Sequence, residues 1–240
     1  MMRKAFGAQR PMKSSPSRSG GVKALDPMRA TYNSLKKRFN VGKSNVIITP
    51  GYLRSEQVLG SQNQITFPIL TNEGQGQRST ERRLGISDTF VITDLGIRIL
   101  FQADGKTPGS CLLETFVNEN VFDPLTVDAL NTLYNGILTV KVGSITYIEA
   151  LDVLRFKLAK TQQRDTLFAA GGAINANSGI HGLEDLAEIV PTIQFSGQEK
   201  NIVQVTLPEA ANMSTLLGQN VAVFYAKGFL CQNAAPLLNR

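Results

Sequence analysis

The chain has 240 residues, of which 42% are hydrophobic, and its formal net charge is +6. This length suits one large β domain or two small domains, and the apolar fraction is sufficient for a core, so a globally disordered chain is excluded. No apolar run approaches the roughly 20 residues that a membrane-spanning helix needs. We therefore expect a protein that folds and assembles in a cytoplasm.

Positive charge is concentrated at the N-terminus. Residues 1–45 contain eleven of the 25 Lys and Arg residues and one of the 19 acidic residues, so they carry +10 and residues 46–240 carry −4. Residues 1–25 are also rich in Ser, Gly and Pro, a composition that cannot form a core. Such a basic arm indicates nonspecific binding of nucleic acid, although a solvated tail without a partner is the alternative. The expected nucleic-acid contacts are Arg3, Lys4, Arg10, Lys13, Arg18, Lys23, Arg29, Lys36, Lys37 and Arg38.

A short amphipathic helix is predicted to follow the arm. Asp26 can cap a helix whose first residue is Pro27, and Gly42 is a suitable stop. Four apolar side chains recur at helical spacing and therefore lie on one face. This face has too little area to support an isolated helix, so we expect it to pack on the chain's own body or on a neighbouring subunit. The four candidate contact residues are Met28, Tyr32, Leu35 and Phe39.

From Val46 onward the pattern changes to short strand-like runs separated by turn residues. In one of them Leu138, Val140 and Val142 alternate with polar residues, which is typical of a half-buried strand. The turn at Gly143-Ser144 predicts a hairpin over Ile137–Ile148. The predicted strands are Ile65–Leu70, Phe90–Gln102, Leu112–Val117, Ile137–Val142, Ile145–Ile148, Leu154–Leu158, Ile189–Phe195, Asn201–Leu207 and Val221–Leu230.

Helices are few in this region. One is predicted between a cap at Asp123, with Pro124 in its first turn, and a stop at Gly136. The run Ala169–Gly179 has the composition of a surface loop. These features predict an all-β antiparallel β-sandwich with a few short helices, in which a jelly-roll topology is favoured over an immunoglobulin-like one. The predicted units are the basic arm with its helix, residues 1–45, and a single jelly-roll-like β domain, residues 46–240.

Residues suited to catalysis are scarce. The single histidine, His181, lies beside the glycine-rich run with no cysteine within ten residues, so we expect a surface or packing role. The two distant cysteines, Cys111 and Cys231, give no zinc-binding spacing. They could pair with each other, but two buried thiols are the expectation. Gly42-Lys43-Ser44 and Gly105-Lys106-Thr107 both lack the first glycine of a phosphate-binding loop. We therefore predict no enzymatic activity, no cofactor, no metal and no small-molecule substrate.

The segment Arg78–Leu84 places four charges in six positions ahead of the most apolar predicted strand. A solvated loop is one interpretation. The other is a polar contact between subunits, because arginine side chains form paired hydrogen bonds with carboxylates. The candidate interface residues are Arg78, Glu81, Arg82 and Arg83.

Four stretches of the body carry a family resemblance: GYLRSEQ at residues 51–57, ITF at 65–67, TERRLGISDTF at 80–90 and PTIQFSG at 191–197. Together with the basic arm, the short helix and the β body, they resemble virion proteins of small tailless icosahedral bacteriophages, those with single-stranded DNA in particular. The resemblance covers roughly residues 50–230.

The resemblance implies a jelly-roll capsid protein that associates with itself in a closed shell. Its other partners would be further virion proteins and the viral nucleic acid, bound nonspecifically by the arm, which could also thread beneath neighbouring subunits. It implies no catalytic residues, and a location in the virion after assembly in the host cytoplasm. Two other classes stay open: a host nucleic-acid-binding protein with a β-sandwich body and a basic tail, and an enzyme built on a β-sandwich.

Overall fold

The computed structural model describes residues 27–158 and 186–237, except Gln75, Asn120 and Leu217. Within these ranges the chain is mostly β, as the sequence predicts, with few helices. The α-helices and strands are α1 Pro27–Arg38, β1 Ile47–Val58, β2 Ser61–Phe67, β3 Thr89–Ala103, α2 Val127–Asn131, β4 Ile137–Val142, β5 Ile145–Asp152, β6 Ala187–Ser196, β7 Asn201–Asn212 and β8 Gly218–Gln232.

The eight strands form two four-stranded antiparallel sheets. The first sheet has the order β1-β8-β3-β6 and the second has the order β2-β7-β4-β5. β4 and β5 form the predicted hairpin, whose turn uses Gly143 at a φ of +57°, a left-handed conformation that glycine adopts at little cost. The pairs β4–β5, β3–β6, β2–β7 and β1–β8 are those formed when a chain folds back on itself about this hairpin.

One apolar core joins the two sheets. It takes Ile65 and Phe67 from β2 and alternate residues of the other strands. On β8 the even-numbered side chains, such as Phe224, belong to this core. Because successive side chains of a strand point to opposite faces, the odd-numbered ones, such as Tyr225, lie on the other side of the sheet. We call that side the outer face of the first sheet.

Helix α1 packs on the outer face of its own chain. Leu35 and Phe39 are buried in a second apolar cluster with Phe229 of β8 and neighbouring residues of the first sheet, while Met28 and Tyr32 are partly buried against it. The ring centroids of Tyr32 and Phe229 lie 5.9 Å apart. A 12-residue helix is marginally stable in water by itself, so this contact keeps α1 folded.

Two of the predicted strands are wrong. Leu154–Leu158 was expected to alternate as a strand, but Val153–Phe156 is a 3-10 turn. The Asp152 carboxylate accepts a hydrogen bond from the Leu154 amide at 2.9 Å and so caps this turn. In the predicted strand Leu112–Val117, Glu114 alone makes an isolated bridge to the sheet.

Strand β1 was missed because Pro50 and Gly51 interrupt its strand pattern. The Arg54 amide bonds to a carbonyl on the side away from β8, and groups of a strand alternate between its two sides. The nitrogen of Pro50 therefore also faces the outer edge, where its missing proton costs no bond to β8. Proline is tolerated on edge strands for this reason.

The second predicted helix is present but shorter. Asp123 accepts a hydrogen bond from the Leu125 amide at 3.0 Å, but the α-helix covers Val127–Asn131 and tightens to a 3-10 turn over Thr132–Asn135 before Gly136. The loop predicted at 169–179 and His181 lie outside the described residues. No helix in the described part of the chain is long and apolar enough to cross a membrane.

Both cysteines are free thiols, and the predicted burial is confirmed for Cys231 alone. Cys111 is half-buried and Cys231 is buried beneath α1. Burial raises the pKa of the Cys231 thiol to about 12, against a smaller lowering by Arg38. This thiol is therefore protonated at neutral pH and unsuited to act as a nucleophile.

We predict that Phe39→Ala releases α1 from the sheet. Truncating a buried Phe costs about 3–5 kcal/mol, which is enough to undock one short helix while the two sheets keep their core. Hydrogen exchange measured by mass spectrometry should show lost protection in residues 28–39 and unchanged protection in β3 and β8. The matched control is Lys37→Ala on the exposed side of the same helix, and unchanged protection of α1 in Phe39→Ala would contradict the prediction.

Candidate subunit and nucleic-acid contact surfaces

The charged segment Arg78–Leu84 lies along the free edge of β1. The Arg54 amide donates to the Arg82 carbonyl at 3.0 Å, and the Arg82 amide donates back to the Arg54 carbonyl at 2.8 Å. This reciprocal pair places the side chains on either side of it within reach of β1. The resembling stretches at 51–57 and 80–90 therefore meet in space.

The side chain of Glu81 is buried, and groups of its own chain bind its carboxylate. Its carboxylate lies 2.9 Å from the Arg83 guanidinium, and the two side chains are 0% and 3% exposed. The same carboxylate accepts hydrogen bonds from the backbone amides of Glu56 at 2.8 Å and Arg78 at 2.6 Å. A buried carboxylate is stable only when its acceptor positions are filled, and here guanidinium and amide groups fill them.

A second buried carboxylate, Glu56, completes the cluster. Its oxygens lie 2.7 Å from the guanidinium of Arg54 and 2.8 Å from that of Arg78, and the Thr80 hydroxyl donates to it. Arg78 also donates to the side-chain amides of Gln102 and Gln219 on β3 and β8. We call this set the edge network, and its charged members are Arg54, Glu56, Arg78, Glu81 and Arg83.

The geometry of the edge network reduces the number of candidate residues that are available for a contact with another subunit. Glu81 and Arg83 are buried and Arg78 is half-buried, so a fully solvated loop is wrong for this segment. Arg83 has its guanidinium on Glu81, whereas Arg82 is exposed. The contact between subunits stays a prediction, and Arg82 is the member of the segment best placed to make it.

Four of the ten predicted nucleic-acid contacts are described, and all four are exposed on α1. Lys36, Lys37 and Arg38 occupy its last turn, where positive charge is favourable at the carboxyl end of the helix dipole. Lys36 Nζ lies 5.7 Å from the centroid of the Tyr32 ring. The fourth is Arg29. The other six lie outside the described residues: Arg3, Lys4, Arg10, Lys13, Arg18 and Lys23.

Three side chains that the sequence did not single out form a row across the outer face of the first sheet. The rings of Tyr52 on β1 and Tyr225 on β8 are stacked, with centroids 5.4 Å apart and planes 7° apart. The guanidinium of Arg98 on β3 lies 5.6 Å from the Tyr225 centroid. We call Tyr52, Tyr225 and Arg98 the aromatic row.

The surroundings of Tyr225 in the aromatic row disfavour ionisation of its phenol. Burial raises the pKa of the Tyr225 phenol above its ordinary value, and Tyr52 raises it further, while Arg98 and Arg54 oppose these effects. The sequence does not reveal the row, because Tyr52 and Tyr225 are far apart in the chain and become neighbours only through the β1–β8 pairing. The irregular pattern of β1 also conceals the strand that carries Tyr52.

No protein-family model, no curated protein and no solved structure matches the chain. Proposals about its function therefore depend on its own fold and contact surfaces.

We predict that Glu81→Gln destabilises the protein by about 3–5 kcal/mol, because it leaves the buried Arg83 guanidinium without its counter-charge. Chemical denaturation followed by circular dichroism measures this change. Arg82→Ala is the matched control, since a surface substitution is expected to change stability by less than about 0.5 kcal/mol. Equal stability of Glu81→Gln and the wild type would show that the edge network is dispensable for folding.

Proposed function

We propose that the chain is a structural virion protein that assembles into an icosahedral shell, with its basic arm on the packaged genome or on neighbouring subunits. The observation that carries the proposal is the net charge of +10 over residues 1–45, which include α1, next to a body of two four-stranded antiparallel sheets. Neither part alone defines the function.

The strand order supports a jelly-roll topology for the body. Folding an antiparallel chain back about the β4–β5 hairpin and winding the resulting ribbon into two sheets produces the orders β1-β8-β3-β6 and β2-β7-β4-β5. Double-sheet jelly rolls of eight strands occur in viral capsid proteins, lectins and cupins. The fold is therefore compatible with a shell protein but does not by itself define one.

The charge distribution favours the shell among these classes. A domain that binds a small molecule gains nothing from a separate segment of +10, whereas a protein that encloses a genome must neutralise phosphates. The body has the opposite sign, with −4 over residues 46–240. This separation lets the arm bind nucleic acid without drawing it onto every surface of the body.

Unpaired sheet edges favour self-association. Among the described strands, β5 pairs with β4 alone and β6 pairs with β3 alone. Tyr147 of β5 and Val190 of β6, which are 40% and 82% exposed, line one surface cavity between these edges. Exposed apolar side chains beside free strand edges are typical of surfaces that another chain covers.

The narrower proposal, a tailless icosahedral bacteriophage, depends on the resemblance of the four stretches named above. Two of them, at 51–57 and 80–90, supply four of the five charged side chains of the edge network, all except Arg78. Because these side chains are held by defined ion pairs and hydrogen bonds, charged residues at these positions have a structural role. A host nucleic-acid-binding protein would share the arm but would have no need of the exposed apolar edges.

We predict that the purified protein forms closed particles visible by electron microscopy. Arg82→Glu should reduce particle formation while sparing the fold, because Arg82 is exposed beside the edge network. Arg83→Glu is unsuitable, since Arg83 is paired with Glu81 inside the chain.

The matched control for Arg82→Glu is Lys141→Glu, which makes the same change of charge at an exposed position of the second sheet. Light scattering quantifies assembly for the three proteins. A protein that stays monomeric at high concentration, with and without nucleic acid, would contradict the shell proposal and favour the host nucleic-acid-binding alternative.

We predict that the arm provides the salt-dependent part of nucleic-acid affinity. If about six of its charges meet phosphates on a single strand, the slope of log affinity against log salt should be about −4, from about −0.7 per contact. Removal of residues 1–25 should flatten this slope and leave the body folded. Salt titrations of both proteins provide the measurement, and equal slopes would reduce the arm to a tie between subunits.

A further inference from the structure

We infer that the aromatic row is a stacking platform for the bases of single-stranded nucleic acid. The inference rests on the proposed contact between the arm and the genome and adds a second, non-ionic contact on the body. Phosphates would be bound by the arm, and bases would stack on Tyr52 at the open end of the row.

The row lies in a gap between two covered parts of the outer face. At one end, α1 packs over Phe229 and Cys231 of β8. At the other end, Cys111 and Leu113 pack against Val221 and Val223 of the same strand. Tyr225 occupies the interval between these two covers. Tyr52 lies beside it on the edge strand β1 and is 46% exposed.

The start of α1 lies next to this gap. Met28, in the first turn of α1, and Lys227 of β8 line the same surface cavity of about 480 Å³. Lys227 is the direct partner of Tyr52 in the β1–β8 pairing. The start of α1 and Lys227 therefore lie close to the row, and Lys227 offers a positive charge to the phosphates of a strand whose base stacks on Tyr52.

The chemistry of the row suits a base of any sequence. Aromatic side chains stack on nucleobases with little sequence preference, since every base has a π face. Arg98 lies over Tyr225 and Tyr225 stacks on Tyr52, so the ring that would receive a base is held in place before binding. Of the nearby acidic groups, Glu56 is paired with Arg54 and Arg78. Asp94 accepts a hydrogen bond from the Thr93 hydroxyl and is the register partner of Lys227.

A structural role alone is the competing explanation, because cross-strand aromatic pairs also stabilise sheets. The two explanations differ in their response to the form of the nucleic acid. Bases in a duplex are already stacked and paired, so a base-stacking platform should distinguish single strands from duplexes. A purely structural pair should not.

The test uses the full-length protein with fluorescently labelled oligothymidylate and a duplex of the same length, followed by anisotropy over a series of salt concentrations. Tyr52→Ala should weaken single-strand binding by about 5- to 150-fold, the range for loss of one stacked base, with the salt slope unchanged. Duplex binding should stay the same. Tyr52→Phe should retain the affinity, since it keeps the ring.

Ile137→Ala is the matched control, because Ile137 is similarly exposed, at 48%, but lies on β4 of the second sheet and outside the proposed contact surfaces. Should Tyr52→Ala fold poorly, Tyr52→Leu keeps the apolar bulk without the ring and should show the same selective loss. Unchanged single-strand affinity in the folded variant would overturn the inference, as would an equal loss for single strands and duplexes. Failure of the shell proposal is seen separately, in the absence of particles, and leaves the effect of Tyr52 measurable.

Discussion

The C-terminal strand β8 lies between β1 and β3 and pairs with both along most of its length, from Val58 to Ile47 on one side and from Thr89 to Ala103 on the other. The rest of the structure depends on this insertion. It requires glycine at position 228, where an added Cβ would lie 1.9 Å from the Val91 carbonyl oxygen. β1 and β3 are joined only through β8. The first sheet is therefore completed by pairings between residues far apart in sequence.

β8 also separates two kinds of chemistry through the alternation of its side chains. Phe224 and its even-numbered neighbours fill the core between the sheets, whereas the odd-numbered side chains form a surface. Phe229 receives α1 there, and Tyr225 anchors the aromatic row. Helix α1, which carries the four described members of the proposed nucleic-acid contacts, and the aromatic row therefore share one face of one sheet, because a strand has only two faces and the core occupies the other.

The edge strands of the two sheets differ in whether other parts of the chain cover them. Pro50 and the edge network protect β1 from pairing with a second chain: proline removes a donor, and the segment carrying Arg82 covers the adjoining edge. Burying Glu56 and Glu81 is costly in isolation. Backbone amides and the Arg83 guanidinium bind Glu81, whereas the guanidinium groups of Arg54 and Arg78 and the Thr80 hydroxyl lie against Glu56. The edges of β5 and β6 pair with no further strand among the described residues, which makes them candidates for contact between subunits in addition to the proposed contact at Arg82.

The sequence by itself determined the features that depend on composition or local spacing: the basic arm, the start of α1 at Pro27, and the β4–β5 hairpin with its alternating side chains. The tertiary structure alone decided which distant residues became neighbours. It turned Glu81 and Arg83 inward, and it placed Tyr52 against Tyr225, because both results depend on which strands pair with β1 and not on the residues next to them in the chain.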